Sequence, residues 1–182
     1  MKRALIAVLI LSFCIDLFGG CGVRENDGQL QDETTASQST EAENNKMPDF
    51  SVYNENGEKI SFYEKLGKPV VLNFWATWCP PCKAEMPHFE KLYGGYKETW
   101  EFMMVNLTDG ERDTTDSVKE FISDNGYTFP IYYDSDMSAA MAYGVQSIPM
   151  TLFIDKDGDL ITYHIGAMTE AQLKEYLEKT EK

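Results

Sequence analysis

The chain has 182 residues, 43% of them hydrophobic and 13% aromatic, enough for one domain with its own core and something extra at the front. Its 16 Lys and Arg face 30 Asp and Glu, a net charge of −14. That balance argues against nucleic acid as a partner, because phosphates would be repelled; it favours solubility and says little about fold.

In chain order, residues 1–20 read as an export signal. Lys2 and Arg3 are a positive start, Ala4 to Ile15 is apolar apart from Ser12, and Gly19 and Gly20 stand just before Cys21. The apolar run is shorter than the ~20 residues a membrane span needs, and Asp16 would sit poorly in lipid. "LFGGC" resembles the bacterial lipobox, with Phe18 and Gly19 at positions where other residues are commoner. The resemblance implies cleavage before Cys21 and a lipid on it. The following stretch to Lys46 has no aromatic residue and is rich in Ser, Thr, Gln, Asn, Glu and Asp. It cannot bury enough apolar surface to offset its ordering entropy, and is expected to be a disordered acidic tether over 21–46. Cys14 would leave with the signal and Cys21 would be lipidated. The domain over 47–182 then keeps Cys79 and Cys82 alone, so the pair is expected to be active rather than part of a disulfide framework.

Asn56-Gly57 predicts a hairpin of Phe50–Tyr53 and Lys59–Phe62. "KPVVLNFWA" is near-continuously apolar, as a central strand covered on both faces requires. Lys83 to Tyr93 carries Met86, Phe89, Leu92 and Tyr93 at helical spacing, with Gly94-Gly95 as the stop. Glu101 to Leu107 is a second buried strand, with Met103 and Met104 in the core and the Asn106 sequon at its end. "TDSVKEFISDNG" is a helix with Val118, Phe121 and Ile122 inward, and Ser135 to Tyr143 is a short one. Two strands turn around Asp157-Gly158, where "DKDGD" reads as a hairpin and not as a calcium loop. A last helix opens on a Thr169 to Gln172 capping box. The order predicts an α/β sandwich with a mixed central sheet.

"WCPPC" falls where a strand gives way to a helix. Free backbone N–H groups and the helix dipole favour an anion there, and a thiolate is the nucleophile of thiol–disulfide exchange. Pro80 and Pro81 suit the first helical turn, and Cys82 would face inward one turn on, in reach of a mixed disulfide on Cys79. A zinc site wants about four ligands, and only His88 and His164 exist, with no matching spacing; His88 reads as a helix-surface residue. A structural staple across so short a loop would constrain the unfolded chain little. No metal is expected.

"NFWATWCPPCKAEMP" together with "GVQSIPMTLFIDKDG" resembles the thioredoxin superfamily, and within it the membrane-tethered ResA/TlpA-type thiol–disulfide oxidoreductases. The resemblance runs from Met47 to about Glu178. It implies a thioredoxin-like fold, a mixed sheet flanked by helices, with an N-terminal β-hairpin and a helical insertion before the cis-proline strand. It makes Cys79 the attacking thiol, Cys82 the resolving thiol and Pro149, after Ile148, the cis-proline beside them. Trp78 would cover the pair and Pro87 would kink the helix. Asn73 stands where ordinary thioredoxins carry a buried Asp, and cannot take up a proton. Glu85 occupies the place of a Glu common in the ResA/TlpA group and is the expected proton acceptor. The Pro-Pro between the cysteines, which ResA lacks, leaves the potential open. The resemblance further implies reduction of envelope proteins such as apocytochrome c or a methionine sulfoxide reductase. A CcdA/DsbD-type membrane donor, no cofactor, a monomer, and a lipid anchor at Cys21 on the outer face of the cell membrane complete it. Two rivals share the fold. A Sco-like copper protein would want Cys-x-x-x-Cys, and a peroxiredoxin Thr-x-x-Cys, whereas Thr77 lies only two before Cys79.

Overall fold

The computed structural model describes residues 45–179. The signal, the Cys21 anchor and nearly all of the tether lie outside them. No helix among the described residues is long and apolar enough to cross a membrane.

Strands β1 (Ser51–Tyr53) and β2 (Lys59–Ser61) form the expected hairpin. Asn54 Oδ1 accepts the backbone N–H groups of Asn56 and Glu58, both at 2.9 Å, and Gly57 takes a φ of 79° that a side chain would resist. A 3-10 turn, Phe62–Lys65, leads to β3 (Val70–Trp75), buried at all six positions. Helix α1 (Pro80–Tyr96), β4 (Glu101–Asn106), α2 (Thr115–Asn125), β5 (Ile131–Tyr133) and α3 (Ser138–Ala142) come next. The chain closes with β6 (Met150–Ile154), β7 (Leu160–Ile165) and α4 (Glu170–Lys179).

The seven strands lie in the order β2-β1-β5-β4-β3-β6-β7. β3, β4 and β5 are parallel, and antiparallel partners flank them on each side. Alternate residues of β3 feed two cores. Val71 and Trp75 join Met86, Phe89, Val118, Leu173 and Leu177 from α1, α2 and α4. Val70, Leu72 and Phe74 join Phe62, Ala139, Ala140 and Tyr143 on the α3 side. Each fully buried large side chain of this kind contributes roughly 1.5–3 kcal/mol, so β3 is the best-anchored element and a rigid base for the turn and helix beyond it. This is the thioredoxin-like fold that the sequence led us to expect.

Three local expectations change. α1 does not stop at Gly94-Gly95 but runs through both to Tyr96. Tyr93 packs edge-on to Phe102 at 5.3 Å and Tyr96 packs on the same core, which outweighs the ~1 kcal/mol each glycine costs a helix. β5 fills a stretch expected to be a connection. α3 begins only at Ser138, because the buried Asp134 carboxylate accepts the N–H groups of Ala139 and Ala140 at 3.1 and 2.8 Å. Within α1, Pro87 removes the N–H that would reach Lys83, and the helix continues past it. The Thr169–Gln172 capping box forms as expected.

Candidate active site

β3 ends at Trp75, the chain turns through Ala76–Trp78, and α1 starts at Pro80. Cys79 is therefore the N-cap, and its Sγ receives the Cys82 backbone N–H at 3.2 Å. Pro80 and Pro81 occupy the first two helical positions, where a missing N–H leaves nothing unpaired. The cysteines form a disulfide, with Cα atoms 5.3 Å apart. Cys79 is 4% exposed and Cys82 is closed off altogether. The Ile148–Pro149 bond is cis, and the Ile148 carbonyl oxygen lies 3.7 Å from Cys79 Sγ. The loop before β6 thus borders the outer sulfur with backbone, which is what an extended segment of another chain needs in order to lie across it.

Beneath the disulfide lies a polar patch in an apolar core. Glu85, one turn beyond Cys82, is 1% exposed. Its Oε1 accepts Asn73 Nδ2 at 2.9 Å and its Oε2 accepts the Met168 N–H at 3.0 Å. Burial pushes its carboxyl up to about 7, against the opposing pull of those two donors. Asn73 Nδ2 also donates to Thr151 Oγ1 at 2.9 Å, two residues after the cis-proline. The sequence marks Asn73 only as a residue that cannot titrate; in the fold it is in direct contact with Glu85. His88 departs from the expected helix-surface position. It is half-buried and meets the Met168 carbonyl at 3.0 Å, because the segment before α4 folds over that side of α1.

A second buried carboxylate holds the turn before the cysteines. Asp113 is fully buried. One oxygen accepts the Thr77 N–H and Asn106 Nδ2, both at 2.8 Å, and the other takes the Thr77 hydroxyl. Neighbouring Arg112 lays its guanidinium 3.7 Å from the Trp78 ring centre and binds Asp109 through Nε at 2.9 Å. Trp78 remains 37% exposed. Neither Asp113 nor Arg112 announced itself in the sequence, since each meets the Thr77–Trp78 turn across more than thirty residues of chain. Asn106 of the "NLT" sequon is buried in this network, and Met103 and Met104 are in the core as expected.

The site is a surface of sulfur, backbone and indole and not a deep pocket. A groove of about 840 Å3 lies elsewhere, around Ile60, Ile122 and Tyr127 to Tyr133, and none of the residues above lines it. Among the described residues no cluster of His, Cys, Asp and Glu could hold a metal ion.

Residues 44–163 match the AhpC/TSA family. The chain is 42% identical over 130 residues to the thiol-disulfide oxidoreductase ResA of Halalkalibacterium halodurans, covering 71% of this chain and 72% of that one. Against the thiol-disulfide oxidoreductase ResA of Bacillus thuringiensis it is 37% identical over 179 residues, 98% of this chain and 96% of the relative. The crystal structure of StoA from Bacillus subtilis superposes with a TM-score of 0.63 at 34% identity, covering 71% of this chain and 96% of StoA.

Proposed function

From the premise that this chain belongs to the AhpC/TSA family of thioredoxin-like proteins and is a thiol–disulfide oxidoreductase, we propose that it reduces disulfides of envelope proteins from the outer face of the cell membrane. The observation that carries the reading is Cys79 Sγ at a helix N-terminus, beside the Ile148 carbonyl and the cis Pro149. In the reduced protein the Cys79 thiolate attacks one sulfur of a substrate disulfide. An S–S bond forms to the substrate, the substrate's own S–S bond breaks, and one thiolate leaves. Cys82 then passes its proton to Glu85 and attacks Cys79 Sγ. The second substrate thiolate leaves, two electrons have moved to the substrate, and the pair is in the disulfide state seen here. The N-terminal dipole and the Cys82 N–H stabilise Cys79 as a thiolate, the form that attacks. Trp78 and Ile148 flank the outer sulfur, where a substrate chain would lie. A membrane donor of the CcdA/DsbD kind would return the electrons, and apocytochrome c or a methionine sulfoxide reductase fits as substrate.

Cys82→Ala removes the resolving thiol, so the reduced variant should accumulate mixed disulfides with envelope proteins. They are read as bands that disappear on reduction, and are absent in Cys79→Ala. Equal trapping by both variants would reverse or refute the assignment. The anchor rests on "LFGGC" and the polar stretch behind it. Expressed in a bacterial host, Cys21→Ala should move from the membrane fraction to the soluble one or remain unprocessed. A variant that is cleaved normally and stays on the membrane is not anchored by Cys21.

A further inference from the structure

Asn73 Oδ1 is a buried carbonyl oxygen with no hydrogen-bond partner. Such an atom is costly to bury unpaired, and its lone pairs stay open to a donor that another state of the protein brings. Its place in the fold says which state. Asn73 lies between Val71 and Trp75 on the face of β3 that meets α1, and Cys82 is buried in that same core. α1 runs back along β3, so Cys82, one turn before Glu85, stands over the Asn73–Trp75 end. In the disulfide state Cys82 carries no proton and has nothing to offer the amide oxygen. Once reduced, it gains a buried S–H donor.

We propose that Asn73 is a positioning residue for the resolving step, turning its amide over as the proton passes from Cys82 to Glu85. This deepens the reading of Glu85 as proton acceptor and rests on it. Before transfer, Asn73 Oδ1 accepts the Cys82 S–H while Nδ2 donates to the Glu85 carboxylate, as it does here. During transfer the S–H bond of Cys82 breaks and an O–H bond forms on Glu85 Oε1, its neighbour on one helix face. After transfer the amide is reversed. Nδ2 donates to the new Cys82 thiolate, and Oδ1 accepts from the Glu85 O–H. The thiolate then attacks the mixed disulfide, and no further reactant is needed. Each end of the amide meets the charge or proton that only the other end could serve before.

Thr151 makes the reversal possible. Its hydroxyl accepts from Nδ2 in the present arrangement, and can donate to Oδ1 in the other. A residue that only accepts or only donates would lock the amide. The other groups around Glu85 do not compete for the proton in this way. Met168 contributes a backbone N–H from the segment before α4, and His88 faces the opposite side of Met168, on its carbonyl. Cys79 at the N-cap of α1 and Cys82 within it are the reacting thiols, while β3 and β6 bring only the non-ionising Asn73 and Thr151.

The test is the resolving step itself. Reduced protein reacts with 5,5′-dithiobis(2-nitrobenzoate) to form a thionitrobenzoate mixed disulfide on Cys79, and release of the second chromophore reports attack by Cys82. Rates are followed from pH 5 to 9. General-base assistance of this kind gives roughly 10²-fold or more, so Glu85→Gln should slow release by about that factor near pH 7. Asn73→Leu should slow it roughly tenfold or more, and its rate should climb with hydroxide up to pH 9 instead of levelling near neutrality. Thr151→Val should shift the profile the same way by a smaller factor, and Thr151→Ser should restore it. A residue with a packing role alone would lower the plateau and leave its pH midpoint in place. If Glu85→Gln is slow and Asn73→Leu keeps the wild-type profile, the amide reversal is wrong and the Glu85 reading stands. If neither variant changes the profile, both are wrong. Should Asn73→Leu not fold, the side-chain NH2 resonances of Asn73 in reduced, 15N-asparagine-labelled wild type decide. They should move with the pH midpoint of the rate, and resonances that stay fixed across it overturn the proposal.

Discussion

Two buried carboxylates bracket the cysteine pair, and they are built for opposite purposes. Asp113 receives three donors on its two oxygens, from Thr77 and Asn106, and ties the β4–α2 connection to the turn that presents Cys79. Glu85 receives one donor on each oxygen from a largely apolar setting, and burial pushes its carboxyl up to about 7. A carboxylate whose two oxygens hold three donors from two separate segments ties those segments together and serves as a clamp. One left short of donors sits where gaining a proton and losing one are nearly balanced, which a proton acceptor working at neutral pH needs. The same side-chain chemistry is divided by local donor count into architecture and reactivity.

The clamp side should break most heavily. Asp113→Ala strands the Thr77 N–H, the Thr77 hydroxyl and Asn106 Nδ2, and buried donors without acceptors cost about 1–3 kcal/mol each. Since Thr77 is partly exposed and can reach water, a total loss of about 3–5 kcal/mol is expected. It would be read as a lower urea midpoint with an unchanged slope. Asp113→Asn keeps one acceptor and should lose less. A loss under about 1 kcal/mol in Asp113→Ala would remove the clamp from the comparison.

The Glu85 side should show itself as pH dependence. A Glu in the unfolded chain titrates near 4.5, and the folded carboxyl at about 7. Below 4.5 both states are protonated and the group contributes no difference. Between the two values the unfolded chain has released its proton while the folded one retains it, so stability falls as pH rises; above about 7 the full penalty persists. That penalty is about 3 kcal/mol. Glu85→Gln cannot ionise, so its stability relative to wild type should rise by about that amount from pH 4 to pH 8. The measurement uses the disulfide form, in which neither cysteine titrates, and the other carboxylates cancel in the difference. Parallel curves for the two proteins would mean that Glu85 is not held protonated by burial.

What the sequence revealed of this arrangement, and what it hid, depends on the range of each interaction. The strand–Cys–Pro–Pro–Cys–helix junction is local, so the N-cap role of Cys79 and the inward turn of Cys82 could be read from spacing. Glu85 and Pro149 were placed by resemblance, because a burial that leaves 1% exposed and a cis bond leave no local trace. Asp113 meets Thr77 across 36 residues, and Thr151 meets Asn73 across 78, so no periodicity or spacing could pair them. β5 escaped because three residues between Pro130 and Asp134 are too few to show alternation. Gly94-Gly95 misled because helix propensity is a weak term against the packing of Tyr93 and Tyr96.

The smallest effect belongs to Arg112, on the exposed rim of the clamp. Burial alone would raise the Asp109 carboxyl. The backbone N–H groups of Asp113, Arg112 and Glu111, with the Arg112 side chain, outweigh it and hold the carboxyl well below the usual range. Asp109 therefore stays an anion, and fixes the guanidinium over the Trp78 ring from one side. An exposed cation–π contact contributes ~0.5–1 kcal/mol, so Arg112→Ala should lower stability by no more than that, far below Asp113→Ala. Its sharper signature is optical. Of the three tryptophans, Trp75 and Trp100 are 0% and 1% exposed and Trp78 is 37% exposed, so a soluble quencher such as acrylamide reaches Trp78 almost alone. Arg112→Ala should raise the quenching constant by uncovering one ring face. Arg112→Lys should fall between, since an ammonium keeps the charge but not the flat cover. If quenching is the same in all three proteins, Arg112 does not rest on Trp78 in solution. The clamp would then end at Asp113, and the indole beside Cys79 would be held by the backbone of its turn alone.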